Sequence, residues 1–214
     1  MKEKVYDLLN GGLDRAGFAE RREQLVSGLE GDVLELGAGT GLNVPHYRSA
    51  RHVVALEPDL AYTRRLRERA AASGVPVEIV EGTAEAVPFP DASFDHVVTT
   101  LSLCSVSDLR ASLAEARRVL RPGGTLEFLE HVRGEGGVAR WQARLTPIQR
   151  RIADGCHLDR DTASEIEAAG FRIERLERFR LPAGHPLVRP AIQGTAVVGA
   201  AGYDETTTTN RRDS

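Results

Sequence analysis

Glu35-Leu36-Gly37-Ala38-Gly39-Thr40-Gly41-Leu42-Asn43 is the stretch on which the reading of this chain turns. It follows the apolar run Asp32–Leu36 and by pattern precedes a helix. Glycines spaced G-x-G-x-G allow a tight turn and let backbone approach a ligand closely. A dinucleotide fingerprint requires G-x-G-x-x-G, and Leu42 breaks it. A phosphate-cradling Walker loop ends in Gly-Lys-Ser/Thr, and no lysine follows here. A glycine triplet alone serves a structural turn equally well, so its surroundings decide.

Outward from the loop, seven apolar runs have strand length: Asp32–Leu36, His52–Leu56, Val77–Val80, Phe94–Thr99, Thr125–His131, Phe171–Glu177 and Ile192–Gly199. Helical patterns at Leu60–Ala72, Asp108–Leu120 and Asp161–Ala169 separate several of them. That alternation predicts an α/β fold with a largely parallel sheet covered on both faces. Such sheets bind ligands beyond the carboxyl ends of their strands. Residues 1–30 read as an amphipathic helical lead-in, with Val5, Leu8, Leu9, Phe18, Leu25, Val26 and Leu29 apolar. Residues 133–157 exceed a simple connection and contain a helix-like piece around Trp141, Gln142 and Ile148. They are expected to form an insertion at the ligand end of the sheet, as a cap or as a packing helix. The polar end from Asp204 to Ser214 is expected to be disordered, leaving one domain over 1–203.

The 214 residues suffice for one domain with a sizeable core. A net charge of −3 and the absence of a long basic run give no electrostatic footprint for nucleic acid. No stretch approaches the roughly 18 apolar residues of a membrane span, and the charged start MKEKVYDLLN is unlike a signal peptide, so the expected location is cytoplasmic. Cys104 and Cys156 do not make a disulfide framework.

The second strand ends in Glu57-Pro58-Asp59, about twenty residues beyond Gly37. A carboxylate there can accept hydrogen bonds from both hydroxyls of a ribose. Asp59 fits a helix-capping role better than Glu57 does.

The ordered blocks ELGAGTG, ALEPD, EGTAEAVPFPDASFD and RRVLRPGGTLEF resemble those of class I methyltransferases that depend on S-adenosylmethionine (SAM). The resemblance implies a Rossmann-like seven-stranded sheet whose last strand is antiparallel, with helices on both faces. It implies that Glu35, Gly37, Ala38, Gly39, Thr40, Gly41 and Asn43 cradle SAM, and that Glu57 with Pro58 holds its ribose. Gly82, Thr83, Ala84 and Glu85 would face the adenine, and Thr100 would complete the cofactor site. Many relatives carry Asp where this chain has Thr83, which shifts the adenine contact towards backbone.

Four further strings are similar to the methyltransferase-like proteins that methylate alkyl thiols in animals: Thr100–Val106, Leu129–Val132, Asp154–Cys156 with Asp159–Thr162, and Leu187–Gly194. The resemblance implies a small-molecule acceptor, a thiol first, with a quinol carbon or lipid amine as the alternative and a non-catalytic SAM-binding role as a third reading. The animal proteins carry an N-terminal hydrophobic anchor for which this sequence has no counterpart.

A thiol with a pKa of about 8.5 is only a few per cent thiolate at neutral pH, so a nearby base raises the reactive fraction. His131, closing the fifth run, and Asp154 are the candidate catalytic residues. Alternation along the strand sends Glu130 to the face opposite His131. Cys104 and Cys156 read as small buried hydrophobes, and with no C-x-x-C pair no metal site is expected.

Overall fold

The computed structural model describes residues 2–199 apart from 154. Asp154 and the polar end from Asp204 therefore lie outside the described residues. Seven strands form one sheet: β1 Gly31–Leu36, β2 Ala50–Glu57, β3 Val77–Glu81, β4 Phe94–Thr100, β5 Leu120–His131, β6 Phe171–Arg180 and β7 Pro190–Val198. Their order is β3-β2-β1-β4-β5-β7-β6. Pairings among the first five strands are parallel, whereas β7 runs antiparallel to both β5 and β6. This is the class I methyltransferase topology.

The strand runs are continuously apolar because both faces are covered. Leu34, Leu36, Val54, Leu56 and Phe128 pack on one face against Leu113 and Ala116 of α4 (Leu109–Val119) and Ile166 of α6 (Thr162–Ala168). Val33, Val53, Val98 and Leu129 point the other way, to Phe18, Leu25 and Val26. The last two belong to α2 (Ala19–Val26), which follows α1 (Lys2–Leu13) through a kink where Gly17 takes φ +108°.

The expected helix after the glycine loop is absent. Only a single 3₁₀ turn, Val44–His46, lies there. Strand β2 begins at Ala50, so only eight residues lie between it and Gly41, too few for a covering helix and its return. The face left open is covered by α2, so the lead-in does the work of the missing crossover helix. The other crossover helix of this half, α3 (Thr63–Ala71), buries Leu66 against Val44 and Ala55.

The insertion forms α5 (Gly136–Ile152), a helix of 17 residues with Pro147 inside it. Gln142 anchors it, fully buried: its amide donates to the carbonyls of Leu187 (2.7 Å) and Val132 (3.2 Å) and accepts the Gly134 N–H (2.7 Å). Among the described residues, no helix is long and apolar enough to cross a membrane.

Candidate active site

Strand order reverses between β1 and β4, and their carboxyl ends diverge into a crevice. A cavity of about 440 Å³ occupies it, within the size range of small-molecule sites. Gly37 and Gly39 line it from the loop after β1, Glu57 and Pro58 from the end of β2, Thr83 to Glu85 from the segment after β3, and Leu101 and Ser102 from the end of β4. A larger groove of about 850 Å³ lies among Arg117, Arg118, Arg121 and Glu165, by the amino end of β5. It is remote from the strand ends where this architecture places chemistry, and Arg118 there is already engaged by Glu115 and Asp91.

The glycines are needed sterically. Gly37 has φ +69°, and a Cβ on it would sit 2.8 Å from Ser102 Cβ; Gly39 has φ +57°, with Tyr6 Oη 3.2 Å from the corresponding position. Either side chain would intrude between the loop and the opposite wall. Gly41 does not line the cavity, and its empty Cβ position faces Leu66 of α3. The Glu57 carboxylate is 4% exposed at the cavity edge, accepting the Gly39 N–H at 2.6 Å and the Asp59 N–H at 2.9 Å. Asp59 caps a turn, accepting the Ala61 N–H, rather than the helix itself, which begins at Thr63.

Glu35, Asn43 and Thr100 sit behind the loop in a buried polar network. Asn43 donates to Glu35 (3.0 Å) and Thr100 (2.9 Å), Tyr47 donates to Glu35 (2.9 Å), and Arg22 donates to Asn43 (2.9 Å). Burial pushes the Glu35 carboxyl up to about 7 despite these donors. Thr40 is fully buried and donates to Asp7 of α1 (2.6 Å). Ala38 packs in the small cluster around Val44, and a Cβ on Gly82 would meet Leu56 at 2.9 Å. These residues shape the loop from behind.

Several cavity residues were not legible in the sequence. Tyr6 reaches the site from α1 and packs against Tyr62 with ring centroids 4.9 Å apart and planes tilted by 50°. Burial pushes its phenol up to about 12, which keeps it a neutral hydroxyl. No local pattern marks such a residue, because only the packing of the lead-in brings it there. Ser102, Ser105, Val106 and Ser107 also line the cavity. Leu101 holds φ +53°, a conformation disfavoured for a bulky side chain, with its N–H bonded to the Leu129 carbonyl (2.9 Å). Such strain concentrates at ligand sites.

At the end of β5, Glu130 and His131 have separate tasks. The Glu130 carboxylate, fully buried, accepts the N–H groups of Ser102 (3.2 Å) and Leu103 (3.1 Å), fixing the loop after β4. Burial holds its pKa above the usual carboxylate value. His131 Nε2 lies 2.9 Å from Cys156 Sγ, and Cys104 completes a buried trio. The hydrogen bond from Cys104, then burial, raise the Cys156 pKa well above the usual thiol value.

Residues 34–128 match a family described as a methyltransferase domain. Thiol S-methyltransferase TMT1B of Rattus norvegicus is 37% identical over 185 residues, covering 84% of this chain and 76% of that protein. Thiol S-methyltransferase TMT1A of Homo sapiens is 34% identical over 193 residues, covering 84% and 79%. Among solved structures, a geranyl diphosphate methyltransferase in complex with SAM superposes with a TM-score of 0.67 at 16% identity, covering 86% of this chain and 85% of that one. This last likeness concerns the fold alone.

Proposed function

Because the chain belongs to the class I SAM-dependent methyltransferases, an enzyme family whose methyl donor is SAM, we propose that it methylates the sulfur of a small thiol. The match to two thiol S-methyltransferases over more than four-fifths of this chain carries that choice of acceptor. Bound SAM supplies a methyl group on a positively charged sulfur, an activated electrophile. The cavity suits it, since the space kept empty at Gly37 and Gly39 admits a ligand against bare backbone.

In this reading the Glu57 carboxylate exchanges its bond from Gly39 for the ribose hydroxyls. Thr83, Ala84 and Glu85 flank the adenine. Glu85 is itself held, accepting the N–H groups of Ser107 (2.7 Å) and Asp108 (3.2 Å). Glu35, Asn43 and Thr100 act through the loop they brace. Aligning acceptor and donor contributes about 7–11 kcal/mol of barrier lowering in well-oriented systems, so rigidity behind the loop matters to rate. His131 faces the acceptor side with one nitrogen already engaged by Cys156, which makes it a poorer free base than its position suggests. Asp154, two residues before Cys156 on the insertion, stays in the proposal as the second candidate to act on the acceptor. Residues 1–203 are taken as one domain, because one sheet draws strands from Gly31 to Val198.

The test incubates purified protein and methyl-labelled SAM with alkyl thiols, hydrosulfide, quinols and amines, and identifies the product by mass. Thioether formation is expected. Label on a quinol carbon or an amine alone, or SAM binding with no transfer, overturns the thiol assignment.

A further inference from the structure

Three buried side chains with metal-ligand chemistry converge beside the cofactor cavity, from segments far apart in sequence. Cys104 lies in the loop after β4, His131 ends β5, and Cys156 follows α5; one ligand atom from each lies within 4.8 Å of the others. The backbone holds them there. His157 N–H donates to the Cys104 carbonyl (2.7 Å), and Gly155 takes φ +82° where a Cβ would meet the Ser105 carbonyl at 2.9 Å. The arrangement is incomplete as it stands, since His131 Nδ1 is buried with no hydrogen-bond partner among the described residues.

We propose that Cys104, His131 and Cys156 bind one thiophilic divalent cation of the zinc class and leave its fourth position for the acceptor thiol. Two thiolates and an imidazole are the ligand set of a catalytic zinc site, which keeps an open position, whereas structural sites close with four protein ligands. Bonds of about 2.0 Å to nitrogen and 2.3 Å to sulfur place ligands roughly 3–4 Å apart, so the cluster closes on an ion with small side-chain shifts. Two thiolates neutralise a divalent cation, which suits a pocket walled by Leu158, Leu145, Leu187 and Val188.

The charged groups nearby fit the assignment. Arg160 is half-buried and donates to the carbonyls of Leu103 and Val106 (2.6 Å to the latter), framing the Cys104 loop. The Glu130 carboxylate is turned to the Ser102 and Leu103 N–H groups. Ser105 lines the cofactor cavity and has its hydroxyl 3.5 Å from Cys104 Sγ, so the cluster adjoins the donor site. An acceptor thiol entering the fourth position loses its S–H proton to solvent and gains a sulfur–metal bond, arriving as a thiolate. This last role rests on the thiol reading above; the ion site does not.

The experiment titrates reduced, chelator-stripped full-length protein with Co²⁺, without SAM. One ion per chain is expected, with tetrahedral visible bands, sulfur-to-cobalt charge transfer and displacement by Zn²⁺. Cys104→Ser, Cys156→Ser and His131→Ala should each weaken binding by more than about 100-fold, the upper range seen on losing a group that only orients a ligand. His131→Cys retains a ligand and should keep one cobalt with stronger charge transfer, which separates lost ligation from lost folding. Ethanethiol should intensify the charge-transfer band, and ethanol should not. No cobalt uptake by folded, reduced wild-type protein overturns the site. A spectrum indifferent to ethanethiol overturns the open position. Both readings stand apart from methyl transfer, so failure of the thiol reaction leaves them decided on their own.

Discussion

At Glu57 one carboxylate does two things: it closes the glycine loop through Gly39 and the following turn through Asp59. Glu57→Ala is expected to lower SAM affinity by about 10–100-fold, the range for losing hydrogen bonds to a charged group at about 1.5–3 kcal/mol. Calorimetric titration with SAM, alongside an unchanged far-ultraviolet spectrum, checks it. Glu35 carries a pH signature instead. Its folded pKa is raised by burial from 4.5 to about 7, so the folded state retains a proton that the unfolded chain releases. This contribution to stability is fully present below about pH 4.5 and is lost as pH rises towards 7. Glu35→Gln does not titrate, so urea unfolding at about pH 5 and pH 8 should show the variant gaining on wild type at the higher pH. The Glu57 position was readable from spacing and strand-end chemistry. The burial that perturbs Glu35 was not, because it depends on Tyr47, Asn43 and Arg22 closing over it.

Among elements, α5 shows how a polar sequence is tied down by one residue. Trp141, Ile148 and Ile152 are exposed along it, so apolar burial alone does not dock the helix. Gln142 supplies three hydrogen bonds to the chain around the ends of β5 and β7. Gln142→Ala strands those partners at about 1–3 kcal/mol each, part of which water recovers. Faster hydrogen exchange confined to residues 136–152 and their contacts is expected, with the β1–β4 amides unchanged. The insertion was visible as an excess of residues between strand and helix. Its anchor was not, since a lone glutamine has no pattern. The glycine loop teaches the reverse lesson: its motif implied a following helix, but eight residues and a required return to Ala50 left room for one turn.

For the whole molecule, the lead-in is part of both the fold and the site. Phe18, Leu25 and Val26 cover the sheet face that the short β1–β2 connection leaves bare, and Tyr6 and Asp7 reach the glycine loop. Phe18 is fully buried, so Phe18→Ala is expected to cost about 3–5 kcal/mol, read as a lower urea midpoint at unchanged slope.

Local chemistry in the sequence settled the strand runs, the glycine turn, the acid at the end of β2 and the alternation that makes a parallel sheet. These depend on neighbours within a few residues and on period, which a linear chain displays. The sequence suggested two unrelated buried cysteines and a strand-end histidine. Tertiary structure decided otherwise: β4, β5 and α5 end at the same edge of the sheet, so residues 104, 131 and 156 become neighbours. Their proximity follows from crossover geometry and the backbone bond between His157 and Cys104, relations that no spacing along the chain encodes.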